Sequence, residues 1–352
     1  GYFAGANATT ATNTIAIGTT ALSTGVLTGT DNIAIGRLTG NDLTSGAYNN
    51  FIGYTSGANA TTGNYNIAIG YAPINTGVLT GDDNTAIGRL AGQDLTSGEY
   101  NFFGGYSAGL NATTADNTIA IGRSAMGVGI LTGDGNTAIG LDAGQDLTSG
   151  TYNNFMGFRA GYNATTANYG IALGHAAIGL GVMTGTDNIA IGRSAGNDLT
   201  SGTSNTFMGY TAGTNVTSGV SNVFVGYQAG SNATTGNYNV GVGHSASGLG
   251  VLTGSDNIAI GRNTGDDLTS GVDNTLVGHL AGRNVTTGID NTLIGAGAGT
   301  VLTTGGNNIC IGHDAAASSS NVSNQITLGN TAIASIRAQV TSITALSDRR
   351  DK

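Results

Sequence analysis

The sequence predicts an all-β fold: a parallel β-solenoid, of the β-roll or β-helix kind, with about nineteen coils of 17–18 residues. Three observations predict it. A unit read as N-x-A-I-G-x-x-A-G-x-x-L-T-x-G-x-x fills almost the whole chain, its central glycine falling at Gly18, Gly36, Gly53, Gly70, Gly88, Gly105 and Gly122 and continuing to Gly329. A short repeat at fixed period marks a solenoid or fibrous array, not an ordinary globular domain. The residues before each glycine are β-prone. An asparagine column accompanies them.

The strand of each coil comes first. The residue before the central glycine is aliphatic at Ile17, Ile35, Ile52, Ile69 and Ile87 and through to Leu328, with Gly104 the one break. Two residues further back lies a second column, among them Ile15, Ile33, Ile67, Ile119 and Ile189, and the residue between is mostly Ala, sometimes Phe. Alternation puts the two aliphatic columns on one face of an extended segment. Three or four β-prone residues closed by Gly read as a short strand and a turn, while the density of Gly, Thr and Asn disfavours helix.

Parallel stacking then puts like on like at ~4.8 Å per coil, giving a rod of roughly 90 Å. Asn32, Asn66, Asn84, Asn101 and Asn136, with Asn188, Asn257, Asn274, Asn291 and Asn308, form the amide column expected to satisfy the turns. A longer period of 52 residues overlies the coil: Asn-x-Thr sequons begin at Asn7, Asn59, Asn111, Asn163 and Asn215. The next, Asn232, follows after only 17 residues, and Asn284 resumes the 52 step. One extra coil has been inserted, so the coil is the structural unit and the 52-residue period reads as duplication history. Ordering each residue costs ~1–2 kcal/mol of backbone entropy, too much for two or three aliphatic side chains per coil. The expectation is an obligate parallel homotrimer. In it the isoleucines form a narrow aliphatic spine and the Ala face packs against sister chains.

Composition excludes other classes. Glycine is 62 of 352 residues against the usual ~7 %, but there is one proline and no G-X-Y period, so collagen is out. The formal net charge is −9, and four of the eleven basic residues lie in the last sixteen, which argues against nucleic acid as a partner. No run of ~20 apolar residues suggests membrane insertion. The lone Cys310 takes a slot usually held by Ala and reads as a small packed thiol. No cofactor or metal is expected. The chain begins inside a repeat, at Gly1-Tyr2-Phe3, and reads as a fragment.

Asn13-Thr14-Ile15-Ala16-Ile17-Gly18 and Asn117-Thr118-Ile119-Ala120-Ile121-Gly122 resemble the N-S-V-A-I-G signature of trimeric autotransporter adhesin heads. The resemblance implies a left-handed β-roll of three chains. Most coils depart from it, Asn32-Ile33-Ala34-Ile35-Gly36 being one residue shorter, and a triangular β-helix is the alternative cross-section. At the other end, Ser347-Asp348-Arg349-Arg350-Asp351-Lys352 resembles the S-D-x-R-x-K motif that opens the intramolecular chaperone of phage tail fibres and tailspikes such as the endosialidases. That resemblance implies a shaft over 1–330, a junction over 331–346 and the start of a self-cleaving chaperone at 347–352. It also implies cleavage before Ser347, with Ser347 as nucleophile and Lys352 as its base.

The function expected is a structural and adhesive fibre shaft of a phage tail, outside the cell, reaching a glycan or protein receptor on the host surface. Apart from one autoproteolytic event no enzyme activity is expected. The alternative is a bacterial surface adhesin or extracellular filament, and a tailspike depolymerase ranks third because no coil carries a distinct carboxylate pair. The seven sequons, Asn7 to Asn284, are candidate glycosylation sites or copies of one useful turn. Tyr54, Tyr106, Phe158 and Tyr210, at the 52 step with Phe51, Phe103, Phe155 and Phe207, are candidates for stacking on receptor sugars, or filler along the rod. Asp31, Asp82, Asp83, Asp134, Asp187 and Asp256 are calcium candidates in turns where Asp ordinarily bonds its own backbone. The four histidines read as scattered around the repeat glycine.

Overall fold

The computed structural model describes residues 1–335. It contains nineteen three-residue strands, from β1 (Ile15–Ile17) to β19 (Ile326–Leu328), and among the described residues no helix. Each strand pairs in parallel with its neighbours in sequence, one strand per coil, without a slip in register. Ile17 lies beside Ile35 and Ile35 beside Ile52. The rest of each coil is turn, yet its backbone is also bonded coil to coil. The amide of Leu38 reaches back to the Thr19 carbonyl (3.0 Å), while those of Gly40 and Thr44 reach forward to Ser56 (2.9 Å) and Thr61 (3.0 Å). Stacking satisfies groups that a single coil would leave bare.

The central glycine has two reasons to be glycine. At Gly53 φ is 131°, which side-chain-bearing residues rarely adopt, and a Cβ there would collide with the Gly70 carbonyl of the next coil. Left-handed turns flank it in the coils before Gly329, as at Tyr48 (φ 60°) and Thr55 (φ 49°). Each such residue costs of order 1–2 kcal/mol, tolerated because its amide is bonded to the preceding coil, as Tyr48 to the Thr30 carbonyl and Thr55 to the Arg37 carbonyl (both 3.0 Å).

The interior is the reverse of the one expected. The middle residue of the strand points in: Ala34, Phe51, Ala68 and Phe103 are fully buried. The aliphatic columns on either side point out, with Ile52, Ile87, Ile121 and Ile260 still 37–42 % exposed. The two columns do share a face, but it is the outer face of the sheet. The cause is room: a coil closed by one short strand and tight turns has space for Ala, or for one ring over a glycine, and not for two isoleucines. Across the interior a second buried column completes the core, with Leu27, Leu43, Leu79 and Leu95 and, at sequons, Ala60 and Ala112. Gly104 interrupts the outer columns because the Phe102 ring lies over it, 3.0 Å from where its Cβ would be.

The 52-residue period has a packing cause. Four residues after the central glycine the chain is left-handed and faces the core. In 18-residue coils this position is Leu22, Ile74, Met126 or Ile178, and the strand of the same coil carries Ala. In the other coils it is mostly glycine, and where the strand carries Phe it has to be: a Cβ at Gly57 would sit 2.8 Å from the Phe51 ring. Core volume comes from the strand or from the turn, never both, and an 18-residue and two 17-residue coils make one packing unit. The inserted coil obeys the same accounting. Its Phe224 stacks on Phe207 with centroids 5.9 Å apart, and the following coil yields with Gly241 in the strand and Ser247 in the turn.

The asparagine column is present and longer than read from sequence, adding Asn49, Asn153, Asn205, Asn222 and Asn239. Asn49 is typical: its backbone and side-chain amides donate to Asn32 Oδ1 (3.0 and 3.1 Å), and the side chain donates again to the Gly63 carbonyl (2.8 Å). Thr118 and Gly170 are breaks, where only the backbone amide donates to the asparagine Oδ1 of the preceding coil.

Candidate functional site

The outward turn after the central glycine carries the richest chemistry. The residue that follows each glycine leaves the sheet and points to solvent. Its carbonyl is held by the next coil, as when the amide of Ala72 binds the Tyr54 carbonyl (2.8 Å) and that of Leu90 the Tyr71 carbonyl (2.9 Å). One coil apart, these side chains form a ladder. Tyr54 stacks on Tyr71 (centroids 5.1 Å), Tyr210 on Tyr227 (5.1 Å) and Tyr227 on His244 (4.8 Å), while Phe158 meets His175 at a tilt (4.9 Å). Arginines fill the gaps. Arg37 lies over Tyr54, Arg89 between Tyr71 and Tyr106 (5.7 and 5.4 Å to the ring centres), and Arg193 over Tyr210 (4.5 Å), donating to its hydroxyl (2.7 Å). Arg123 and Arg262 occupy the same position, the latter 2.7 Å from His279 Nε2.

Tyr54, Tyr106, Phe158 and Tyr210 therefore all lie on this ridge, the first three exposed and Tyr210 half-buried. Their neighbours Phe51, Phe103, Phe155 and Phe207 do not: they are core. Reading at the 52 step missed Tyr71, Tyr227 and the arginines, which recur at the coil step. All four histidines, His175, His244, His279 and His313, occupy this one position and are not scattered. The signal that finds them is the column one place after the glycine. A second exposed ladder, also missed, holds Tyr48 on Tyr65 (4.8 Å) and Tyr152 on Tyr169 (5.4 Å).

The seven sequon asparagines line another corner. Each side-chain amide donates to the coil above: Asn7 to Ser23 O (2.7 Å), Asn59 to Thr76 O (3.1 Å), Asn111 to Val128 O (2.7 Å) and Asn163 to Leu180 O (2.8 Å). Asn215 donates to Asn232 Oδ1 (3.0 Å), Asn232 to Leu249 O (3.0 Å) and Asn284 to Thr300 O (2.7 Å). The nitrogen that a glycan would take is already at work in the stack.

The acidic turns serve the stack. Asp82 accepts the backbone amide of Asn64 (2.7 Å) and Asp134 that of Asp116 (2.9 Å), while Asp31, Asp83, Asp187 and Asp256 hold the left-handed turn that suits Asp. Among the described residues no three His, Cys, Asp or Glu side chains gather as a metal site would need. Cys310 is buried, and burial pushes its thiol pKa up. Burial likewise raises the carboxyl pKa of Asp146, Asp198 and Asp266, the last a fully buried residue with one oxygen unpartnered. Ser347 and Lys352 lie outside the described residues. No family model matches the chain, and no curated protein matches it either.

Proposed function

We propose that the chain is the shaft of a homotrimeric attachment fibre, such as a phage tail fibre, that reaches a glycan or protein on a host surface. The observation that carries this reading is the uncovered outer face of the sheet. In the column before the central glycine every position except Gly104 is Ile, Leu, Met or Val, side by side along all nineteen strands. A single chain leaves this strip, roughly 90 Å long at the spacing of stacked strands, in water. Its natural cover is more of the same chain. A parallel copy repeats the coil rise, so aliphatic rows interlock from end to end without a change of period. Three copies about one axis close the face on itself and multiply every surface feature by three. The partner surface is therefore this isoleucine face, in place of the Ala face expected from the sequence.

The terminal motif fits the same reading. Ser347 Oγ would attack the Leu346 carbonyl, Lys352 taking its proton and passing it to the Ser347 amine as the peptide bond gives way to an ester; water would then hydrolyse that ester, leaving the Leu346 carboxylate and releasing a chaperone once the chains have assembled. Two measurements test the proposal. Sedimentation equilibrium should give a mass close to three times 34.7 kDa; a monomer overturns the reading. For a chain extended at its natural C-terminus, mass spectrometry should find the mature product ending at Leu346, and Ser347→Ala should leave it uncut. Cleavage of that variant like the parent would remove the dyad.

A further inference from the structure

We propose that the aromatic and arginine ridge binds an acidic polysaccharide laid along the long axis of the solenoid. The inference deepens the fibre reading and rests on it, since it names the chemical class of the surface ligand.

Charge segregation points to the ligand. The protein is acidic, with twenty Asp and Glu against eleven Lys and Arg. Of the seven arginines among residues 1–335, five follow a central glycine: Arg37, Arg89, Arg123, Arg193 and Arg262. All four histidines do the same, and no acid occupies that position in any coil. Among the described residues none of these five arginines is paired with a carboxylate. The ion pairs are Arg159 with Asp142 (3.7 Å) and His313 with Asp314 (3.2 Å). An acidic chain with spare carboxylates has kept these five arginines away from them and exposed them in one row. That arrangement gives up internal neutralisation and leaves a positive stripe on a negative body.

The spacing selects a polymer of rings. The rings stack on one another along the axis, so their edges and the tyrosine hydroxyls face outward at one coil rise, where they can bond the hydroxyls of successive sugar residues. Guanidinium groups beside them offer planar forks to carboxylates. The arginines recur at two to four coils, so a carboxylate on every few residues meets a partner. The ridge is also preorganised. Its backbone is bonded coil to coil, and Arg89 and Arg193 rest against tyrosine rings, so little freedom remains to be lost on binding. Single-stranded nucleic acid offers rings and anions too, but it binds by laying its bases on open aromatic faces, and here neighbouring rings and guanidinium groups cover those faces.

The test uses the full chain and five probes: polygalacturonate, alginate, dextran sulfate, neutral dextran and oligo-dT. Calorimetry at low salt should show binding to at least one carboxylated polymer, none to dextran, and a steep loss of affinity as salt is raised. The pair Arg89→Gln with Arg193→Gln should weaken binding at least ten-fold, as should Tyr71→Ala with Tyr227→Ala. Arg283→Gln, off the ridge, should leave it unchanged. Binding of none of the acidic polymers by the parent overturns the proposal, as does equal binding of dextran or tighter binding of oligo-dT. Sedimentation of the same variants separates the two readings. A trimer that binds no acidic glycan sinks the ridge alone. If the ridge substitutions dissociate the assembly, the ridge is a subunit contact and the proposal fails. A parent that is monomeric sinks the fibre reading first.

Discussion

At the scale of single residues the solenoid is governed by a volume rule inside each coil. Phe155 and Gly161 share one space, as a Cβ on Gly161 would lie 2.6 Å from the ring. Phe155→Ala should cost about 3–5 kcal/mol of local stability, the range for emptying a buried aromatic site. Gly161→Leu alone should also destabilise, through overpacking. Combined, the two should cost less than their sum, because Ala in the strand with a large residue in the turn is the arrangement at Ala120 and Met126, where φ is 47°. Urea unfolding in a double-mutant cycle measures the coupling, and additivity would refute the shared space. Asp266 is the opposite case, a charge buried with little return. Burial raises its pKa above 3.8, outweighing the Asn263 amide that donates to it. The folded state then binds the proton more tightly than the unfolded chain. This residue's contribution is favourable at and below pH 3.8 and is lost as pH rises through the folded value. Asp266→Asn should raise stability at neutral pH, by about 1 kcal/mol if the amide meets the desolvation cost of the orphaned oxygen. It should also flatten the pH dependence above 3.8 in thermal melts followed by circular dichroism.

At the scale of the element, the coil is the unit that evolution has added and that can be taken away. Removing residues 210–226 restores the 52-residue phase and places Phe207 beneath Gly241, which already accommodates the ring of Phe224. That deletion should leave the midpoint of thermal unfolding within a few degrees of the parent, because stability is close to a sum over coils and their interfaces. Deleting four residues from the same turn should melt the neighbouring coils, since it breaks the asparagine ladder and the register together. The coil, its strand and the ladder were legible in sequence because each is one residue type recurring at one period. Which face of the strand points inward was not. Ile-Ala-Ile alternates in either sense, and a typical solenoid core would take the larger residues. The deciding constraint is the narrow interior, set by turns whose left-handed residues, such as Tyr48 and Leu38 (φ 58°), carry no sequence mark of their own. The ridge was half legible. Its tyrosines showed at the 52 step, while its arginines and histidines showed only once the glycine was used as the origin of each coil.

At the scale of the whole molecule the question is what the outer isoleucine face meets. Inside the chain the problem of backbone satisfaction is solved by stacking, and the core is filled coil by coil, so the fold has little need of the aliphatic columns it exposes. On the proposed reading, cover by sister chains offsets their cost in water. A charge placed at the middle of the strip separates cover from mere tolerance. Ile121 and Ile139 are adjacent on consecutive strands and far from both ends. In a bare monomer Ile121→Asp with Ile139→Asp sits on a solvated surface and should be within about 0.5 kcal/mol of neutral. In a closed trimer it buries six unpaired carboxylates near one axis, and the assembly should dissociate at neutral pH. Lowering the pH towards the ordinary carboxyl range should restore it, because only the charged form is excluded. Sedimentation velocity at the two pH values reads the outcome directly. Substituting Asp for Thr132, in a turn on the far side of the coil, should leave the sedimentation coefficient unchanged. If the face variant sediments like the parent at both pH values, the isoleucine strip is not the seam between chains.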